Sequence, residues 1–329
     1  MKLLFSGLLL IYVSYSNAQT IQTYMSADSA RRLILTAKTP EDKFAGYYSL
    51  DRYYYTTGLY DSSRTSQLEM YNIAKLLNRD SLLATTYNAI GNMLVHKSDY
   101  NFALSSYFKA LEYAKDDYRR ARTDAAVGYV YLLTGNSDVG YKYIRKADSI
   151  STSPLIRRVV KIFSGAAFNN FNKPDSALLC LQQAEADGGT RLDATMNAIL
   201  LVQFSISYEL KEDYDLADLY YKKTMAFCRK EKLVSSYIRN ANHYCTYLIK
   251  RGDYSAAKTL ALDILSLARQ TISNDGISNV SENLKKIYSH DNNRDSAFYY
   301  AEMQIAYKDS VSNEKRISEM HWHVQERSA

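Results

Sequence analysis

The feature that most constrains this chain is a phrase it repeats. "KSDYNFALSSYFKALEYA", from Lys97, returns as "KEDYDLADLYYKKTMAFC" from Lys211 and "RGDYSAAKTLALDILSLA" from Arg251. Alignment on the Ala three residues after the Tyr places that anchor at Ala103, Ala177, Ala217, Ala257 and Ala297, with Gly140 and Ser63 in the equivalent place. The steps from residue 63 are 40, 37, 37, 40, 40 and 40. Twelve residues before the anchor stand Gly91, Gly128, Gly165, Ser205 and Cys245, and seven after it stand Ala110, Ala147 and Ala184. Self-similarity at such a period marks a stack of supersecondary units, none of which can bury its apolar face alone.

Each unit reads as helix, short polar turn, helix. "LLATTYNAIGNMLVHK" and "NFALSSYFKALEYAK" carry apolar residues at helical spacing, with "SDY" between them. Ser98 and Asp99 are the capping candidates. Only 3 Pro and 12 Gly interrupt the chain, which suits long helices. Antiparallel helices cross closely where side chains are small, so Gly91 is expected to face Ala103 and Ala110. The turn Tyr is expected to cover the open end of its own hairpin. With 31 Tyr against 10 Phe, the chain favours rings that pack while keeping a hydroxyl near water, as an elongated fold requires.

The pattern resembles the tetratricopeptide repeat. In the best unit the matching residues are Tyr87, Ile90, Gly91, Leu94, Ala103, Tyr107 and Ala110. The next matches with Val127, Gly128, Tyr131 and Ala147, and the one after with Gly165, Phe168, Ala177, Leu181 and Ala184. The period exceeds that family's by about one helical turn. The Pro that usually ends each unit is missing, and Asp51 and Lys285 occupy the small position of the first and last units. The resemblance implies an all-α, right-handed superhelical solenoid. It places about seven hairpins over residues 43–310, after a capping helix region at 19–42.

It also implies a protein or peptide partner held along the concave face. The family's groove positions fall on Tyr48, Arg52 and Tyr55 in the first unit, and on Asn88 and Asn92 in the second. They fall on Arg122 and Tyr129 in the third, and on Arg239 and Asn242 in the sixth. Asn pairs can hold an extended backbone, and Arg can grip a carboxylate. These side chains are expected to face solvent, so that truncating Arg52 and Arg122 would weaken binding at unchanged stability. The Lys–Asn carboxylate clamp of the chaperone-binding subfamily is not matched, because Asn88 stands where the Lys would be.

No catalytic constellation emerges: there is no Gly-rich phosphate loop, HExxH, nucleophile elbow or EF-hand loop. The expectation is a non-enzymatic protein without cofactor or metal. His96, His243 and His290 fall one per hairpin, as surface or groove residues, and the "HWH" at 321–323 has no chelating geometry on a helix. Cys180, Cys228 and Cys245 match no zinc or redox spacing and read as packing, with a Cys228–Cys245 bridge as the alternative. The net charge of +6 is spread too thinly for nucleic acid, the clusters at 118–122 and 156–161 being short. Asp-Ser pairs at 28–29, 80–81, 148–149, 175–176, 295–296 and 309–310 read as caps and turns, and resemble an O-glycosylation signal of some Gram-negative bacteria.

"MKLLFSGLLLIYVSYSNAQ" has an early Lys, a short apolar run and small residues before Gln19. It reads as a signal peptide, 1–18, which places the protein in the periplasm or outside the cell with no membrane span after cleavage. The tail, 311–329, resembles the exit segment of exported Gram-negative tetratricopeptide sensors. Ile317, Met320 and Val324 there have the spacing of a nascent heptad seam, which could support weak self-association. The leading expectation is a stand-alone interaction module. The alternative is the input domain of a truncated membrane histidine kinase or transcriptional regulator. N-terminal sequencing of the native protein is expected to begin at Gln19, and intact Met1 on soluble cytoplasmic protein would contradict export.

Overall fold

The computed structural model describes residues 26–187, 192–271 and 273–309, and all regular structure among them is helical. The signal peptide, the 309–310 pair, the "HWH" and the heptad seam lie wholly or partly outside the described residues. The helices are α1 (Ala27–Thr36), α2 (Pro40–Thr57), α3 (Tyr60–Leu76), α4 (Asp80–His96), α5 (Tyr100–Tyr113), α6 (Asp117–Leu133) and α7 (Ser137–Ile150). They continue with α8 (Pro154–Asn170), α9 (Pro174–Ala186), α10 (Ala194–Leu210), α11 (Tyr214–Lys230), α12 (Val234–Lys250), α13 (Tyr254–Gln270) and α14 (Asn274–His290). A last helix, α15, covers 294–309. After α1, which packs on α2, consecutive helices pair into seven antiparallel hairpins. Their buried faces merge into an apolar core running from Phe44 to Ile287.

Helix lengths account for the uneven period. From α4 onward the first helix of every hairpin has 17 residues. The second helix has 17 in α3, α11 and α13, where the following step is 40. It has 14 in α5 and α7, where the step is 37. Three residues are close to one turn. The short α9, of 13 residues, still steps by 40, because a longer connection leads from it to α10.

Every hairpin turn contains one residue in the left-handed region: Gly58, Ser98, Gly135, Asn172, Glu212, Gly252 and Asn292. Gly and Asn adopt it readily, whereas Ser98 and Glu212 do so at some cost. Ser98 is therefore not a cap, and Asp99 makes no capping bond. The equivalent Asp213 and Asp253 do cap, accepting from the amides of Leu216 and Ala256. The Asp-Ser pairs at 28–29, 80–81 and 175–176 are not N-caps either. Asp28, Asp80 and Asp175 sit inside first helical turns, where a carboxylate complements the helix dipole. The turn Tyr also departs from expectation, because it bonds the next hairpin and not the end of its own. Arg251 lies 3.8 Å over the Tyr214 ring, and His290 stacks on Tyr254 at 3.6 Å.

The crossing is not purely small against small: Gly128 and Gly140 do approach closely, but a large side chain also fills the space above each of three glycines. The missing Cβ of Gly91 points into the ring of Tyr107. A Cβ on Gly128 would meet Ile144 at 2.7 Å, and one on Gly165 would meet Leu181 at 2.7 Å. All three partners stand four residues after the anchor, and all are fully buried. The glycine thus makes room for a large neighbour. Where the small position is Cys245, the residue four after the anchor shrinks to Ala261. The first hairpin replaces this packing with a polar set. Asp51 Oδ1 accepts from Ser63 Oγ at 2.6 Å and from Gln67 Nε2 at 2.8 Å, all three being buried.

The three cysteines are free thiols. Cys245 donates to the Ala257 carbonyl, and burial pushes its thiol up to about 12. They pack, and the bridge does not form. For the crossing, Gly91→Ala is expected to destabilise the chain by about 1–3 kcal/mol through overpacking. Tyr107→Leu should partly rescue it, as a double-mutant cycle by thermal or denaturant unfolding would read. Strict additivity would mean that the two side chains do not share this space.

Candidate binding interior

Successive hairpins rotate, and over six of them the superhelix comes round on itself. The amino-terminal end of the coil then meets the later hairpins across the interior. The Tyr60 hydroxyl donates to the His96 carbonyl at 3.1 Å and lies 3.0 Å from the Ser235 hydroxyl. Ser235 donates to the Tyr55 carbonyl, and Arg239 donates to the Val95 carbonyl at 3.0 Å. Ser98 donates to Asp275 Oδ2 at 2.7 Å, tying the second hairpin to the seventh. Arg52 pairs with Asp193 at 3.1 Å, the aspartate also capping α10 through the Met196 amide.

This closure changes the character of the concave strip. Arg52, Tyr55, Asn88, Asn92, Arg122, Tyr129 and Arg239 all line one cavity of ≈ 150 Å³, with Tyr48 beside it. They do not stand free in solvent. Arg122 donates to the Tyr48 hydroxyl at 2.9 Å, Asn88 to Thr123 at 3.1 Å, and Asn92 accepts from Tyr107 at 2.8 Å. Tyr129 stacks on Phe163 with ring centroids 4.5 Å apart. The expectation that these residues are indifferent to stability is therefore corrected: several join helices across the coil. Asn242 lies apart, in a second cleft of ≈ 340 Å³ that shares only Tyr-free wall residues His96 and Arg239 with the first. That cleft is polar, and Asn242 and Asn283 bond each other there across α12 and α14. His243, Asn279, Glu282 and Lys286 also line it.

The interior is basic. Three guanidiniums, Arg52, Arg122 and Arg239, face the cavity against one carboxylate, Asp193. Burial and then the nearby Arg239 and Arg52 push His96 down to about 3, so it is neutral at ordinary pH. Its Nδ1 is buried without a hydrogen-bond partner. Burial opposes ionisation of the Tyr48 phenol, yet Arg122 and Arg52 outweigh it and hold that group below its ordinary range. Asp51, one residue from Arg52, is pushed the other way, to about 7, by burial that Ser63, Gln67 and Arg52 only partly offset. Its Oδ2 has no partner.

Among the described residues no group of three or more His, Cys, Asp or Glu could hold a metal ion, and no helix is long and apolar enough to cross a membrane. Sequence reasoning missed Asp193, Tyr60, Ser235 and Asp275. Ser235 and Asp275 share the register of the inward Tyr118, Leu155 and Thr195, and Tyr60 holds the turn-Tyr position, but the partners they meet depend on how far the coil turns. His96 carried a weaker signal, since it sits four residues after Asn92, one helical turn along the inner face.

No protein-family model matches the chain, and no curated protein matches it. Solved structures do. A Rap protein complexed with competence and sporulation factor superposes with a TM-score of 0.57 at 14% identity, over 87% of this chain and 94% of that one. The apo form of RapI gives 0.52 at 12% identity, over 82% and 99%. A tetratricopeptide repeat protein from Parabacteroides merdae gives 0.39 at 9% identity, over 80% and 98%. The fold is thus an all-α solenoid of stacked helical hairpins, like that of the two Rap structures.

The two displaced ionisations oppose each other. Asp51 binds a proton in the folded state that the unfolded chain has released, so its contribution is lost as pH rises from about 4 to 7. His96 stays neutral in the folded state while the unfolded chain protonates, so its contribution is lost as pH falls from about 6.5 towards 3. Asp51→Asn is expected to gain on the parent by up to about 1.4 kcal/mol per pH unit between pH 5 and 7, with a plateau above. Denaturant unfolding at pH 5, 6, 7 and 8 reads this, and a pH-independent difference would place Asp51 in an ordinary solvated state.

Proposed function

We propose that this chain is a non-enzymatic, exported interaction module that holds an extended protein or peptide segment in the polar cleft of its superhelix. The observation that carries the reading is the cleft itself, a ≈ 340 Å³ opening in which Asn242, Asn279 and Asn283 lie along the first helices of the sixth and seventh hairpins. Side-chain amides both donate and accept, as a peptide main chain does, and can track it without fixing its side chains. Asp275, Glu282 and Lys286 at the same opening offer charge selection. The likeness to a Rap protein that was solved with competence and sporulation factor supports an interaction role for a closed coil of this kind.

Location in the periplasm or outside the cell rests on the sequence of residues 1–18, and the sensor reading on that of 311–329. The test is a crosslinking pull-down from the exported fraction with the parent and with His243→Ala/Asn279→Ala. Both residues are exposed at the cleft, so folding should be kept. Loss of at least tenfold in affinity for the recovered partner, about 1.4 kcal/mol, at unchanged melting temperature is expected. Equal capture by the variant would move the binding surface off this cleft.

A further inference from the structure

The first cavity poses a problem the polar cleft does not. Guanidiniums withdrawn from water cost several kcal/mol unless ions answer them. Arg52 is answered by Asp193. Arg122 and Arg239 make no such direct ion pair: Arg122 bonds the Tyr48 hydroxyl, and Arg239 bonds the Val95 carbonyl and the Tyr129 hydroxyl. Each guanidinium has five N–H groups, so most of the donor capacity of these two remains unspent. Asp275, which accepts from Ser98 and Asn279, acts on Arg239 from the neighbouring cleft, so the three guanidiniums still outnumber two carboxylates. The unpartnered Nδ1 of His96 adds one more polar atom with no bond inside the fold.

The opposite wall is apolar. Leu155, Val159 and Phe163 from α8 and Ile199 from α10 face the basic side across the same space. The volume, ≈ 150 Å³, is that of a cavity that accepts about six heavy atoms of hydrocarbon. It is too small for a length of polypeptide. We propose that this cavity is a binding site for a small organic carboxylate with a compact apolar body, its carboxylate between Arg122 and Arg239 and its body against α8 and α10. Such a ligand supplies the negative charge that the interior lacks and fills the apolar volume. It lies where α4, α6, α8, α10 and α12 converge, so it also stabilises the closed coil. The site shares His96 and Arg239 with the polar cleft but does not rest on the peptide reading.

The probes are sodium benzoate, benzyl alcohol as its neutral counterpart, and inorganic phosphate as an anion without an apolar body, titrated calorimetrically into the full exported chain. Benzoate is expected to bind at least tenfold more tightly than either control and to raise the melting temperature. Arg122→Met and Arg239→Met should each weaken benzoate tenfold or more. Val159→Phe, which fills the cavity and keeps both guanidiniums, should abolish binding with native circular dichroism. The controls on the parent protein decide the matter even if a variant fails to fold. Benzyl alcohol equal to benzoate would show that the charge is idle, phosphate equal to benzoate that the apolar wall is idle, and no heat from benzoate that the cavity is not a carboxylate site. Any of these overturns the proposal.

Discussion

The second, third and fourth hairpins are each held by one buried crossing at which a glycine on the first helix admits a side chain from the second. Gly91 admits Tyr107, Gly128 admits Ile144 and Gly165 admits Leu181. Protein interiors transmit strain because they are close-packed, so the size of this one pair sets how near the two helices lie. The spacing of helices within a hairpin fixes the face on which the next one docks. Summed along the stack, such local choices determine the curvature of the whole coil. Closure, the interior cavity and the charge inside it all follow from it.

The closing contacts are few, polar and far apart in sequence. Arg52 meets Asp193, Tyr60 meets Ser235, Ser98 meets Asp275, and Arg239 meets the Val95 carbonyl. A half-buried ion pair and some single hydrogen bonds are worth little individually, on the order of 1 kcal/mol each. The hairpins themselves rest on a continuous apolar core. Opening of the coil therefore costs far less than unfolding of any unit, and a molecule that binds the interior can bias the two shapes.

The hairpins and the fold type were legible because both are local. The anchor spacing places Ala103, Ala177, Ala217 and Ala257 at fully buried positions, and helical register alone selects the inner face that carries Arg52, Asn92, Arg122 and Arg239. The polar set in the first hairpin was half legible. Asp51 and Ser63 stand out as departures from the small positions, but only the crossing geometry shows that Gln67 completes them. Closure was not legible, since it accumulates from small rotations over six units. Asp193 repeats the capping position of Asp116, but only closure brings it to Arg52, which otherwise reads as a solvated groove residue. The small-against-small expectation fell short for a related reason: which neighbour fills the space above a glycine depends on the crossing angle, and periodicity says nothing of that angle.

The central claim is that the coil is closed, with the start of α3 against the start of α12. A Cβ on Gly58 would lie 4.0 Å from the Ser235 hydroxyl, so Leu59 and Glu231, both exposed, flank the seam. Pulsed electron resonance between nitroxides on Leu59→Cys and Glu231→Cys, with Cys180→Ser to remove the half-buried native thiol, measures this gap in solution. A closed coil predicts one narrow distribution at short distance in the absence of any ligand. A broad distribution, or one centred at long distance, would mean that the first and sixth hairpins do not meet, and the interior described above would not exist as an enclosed space.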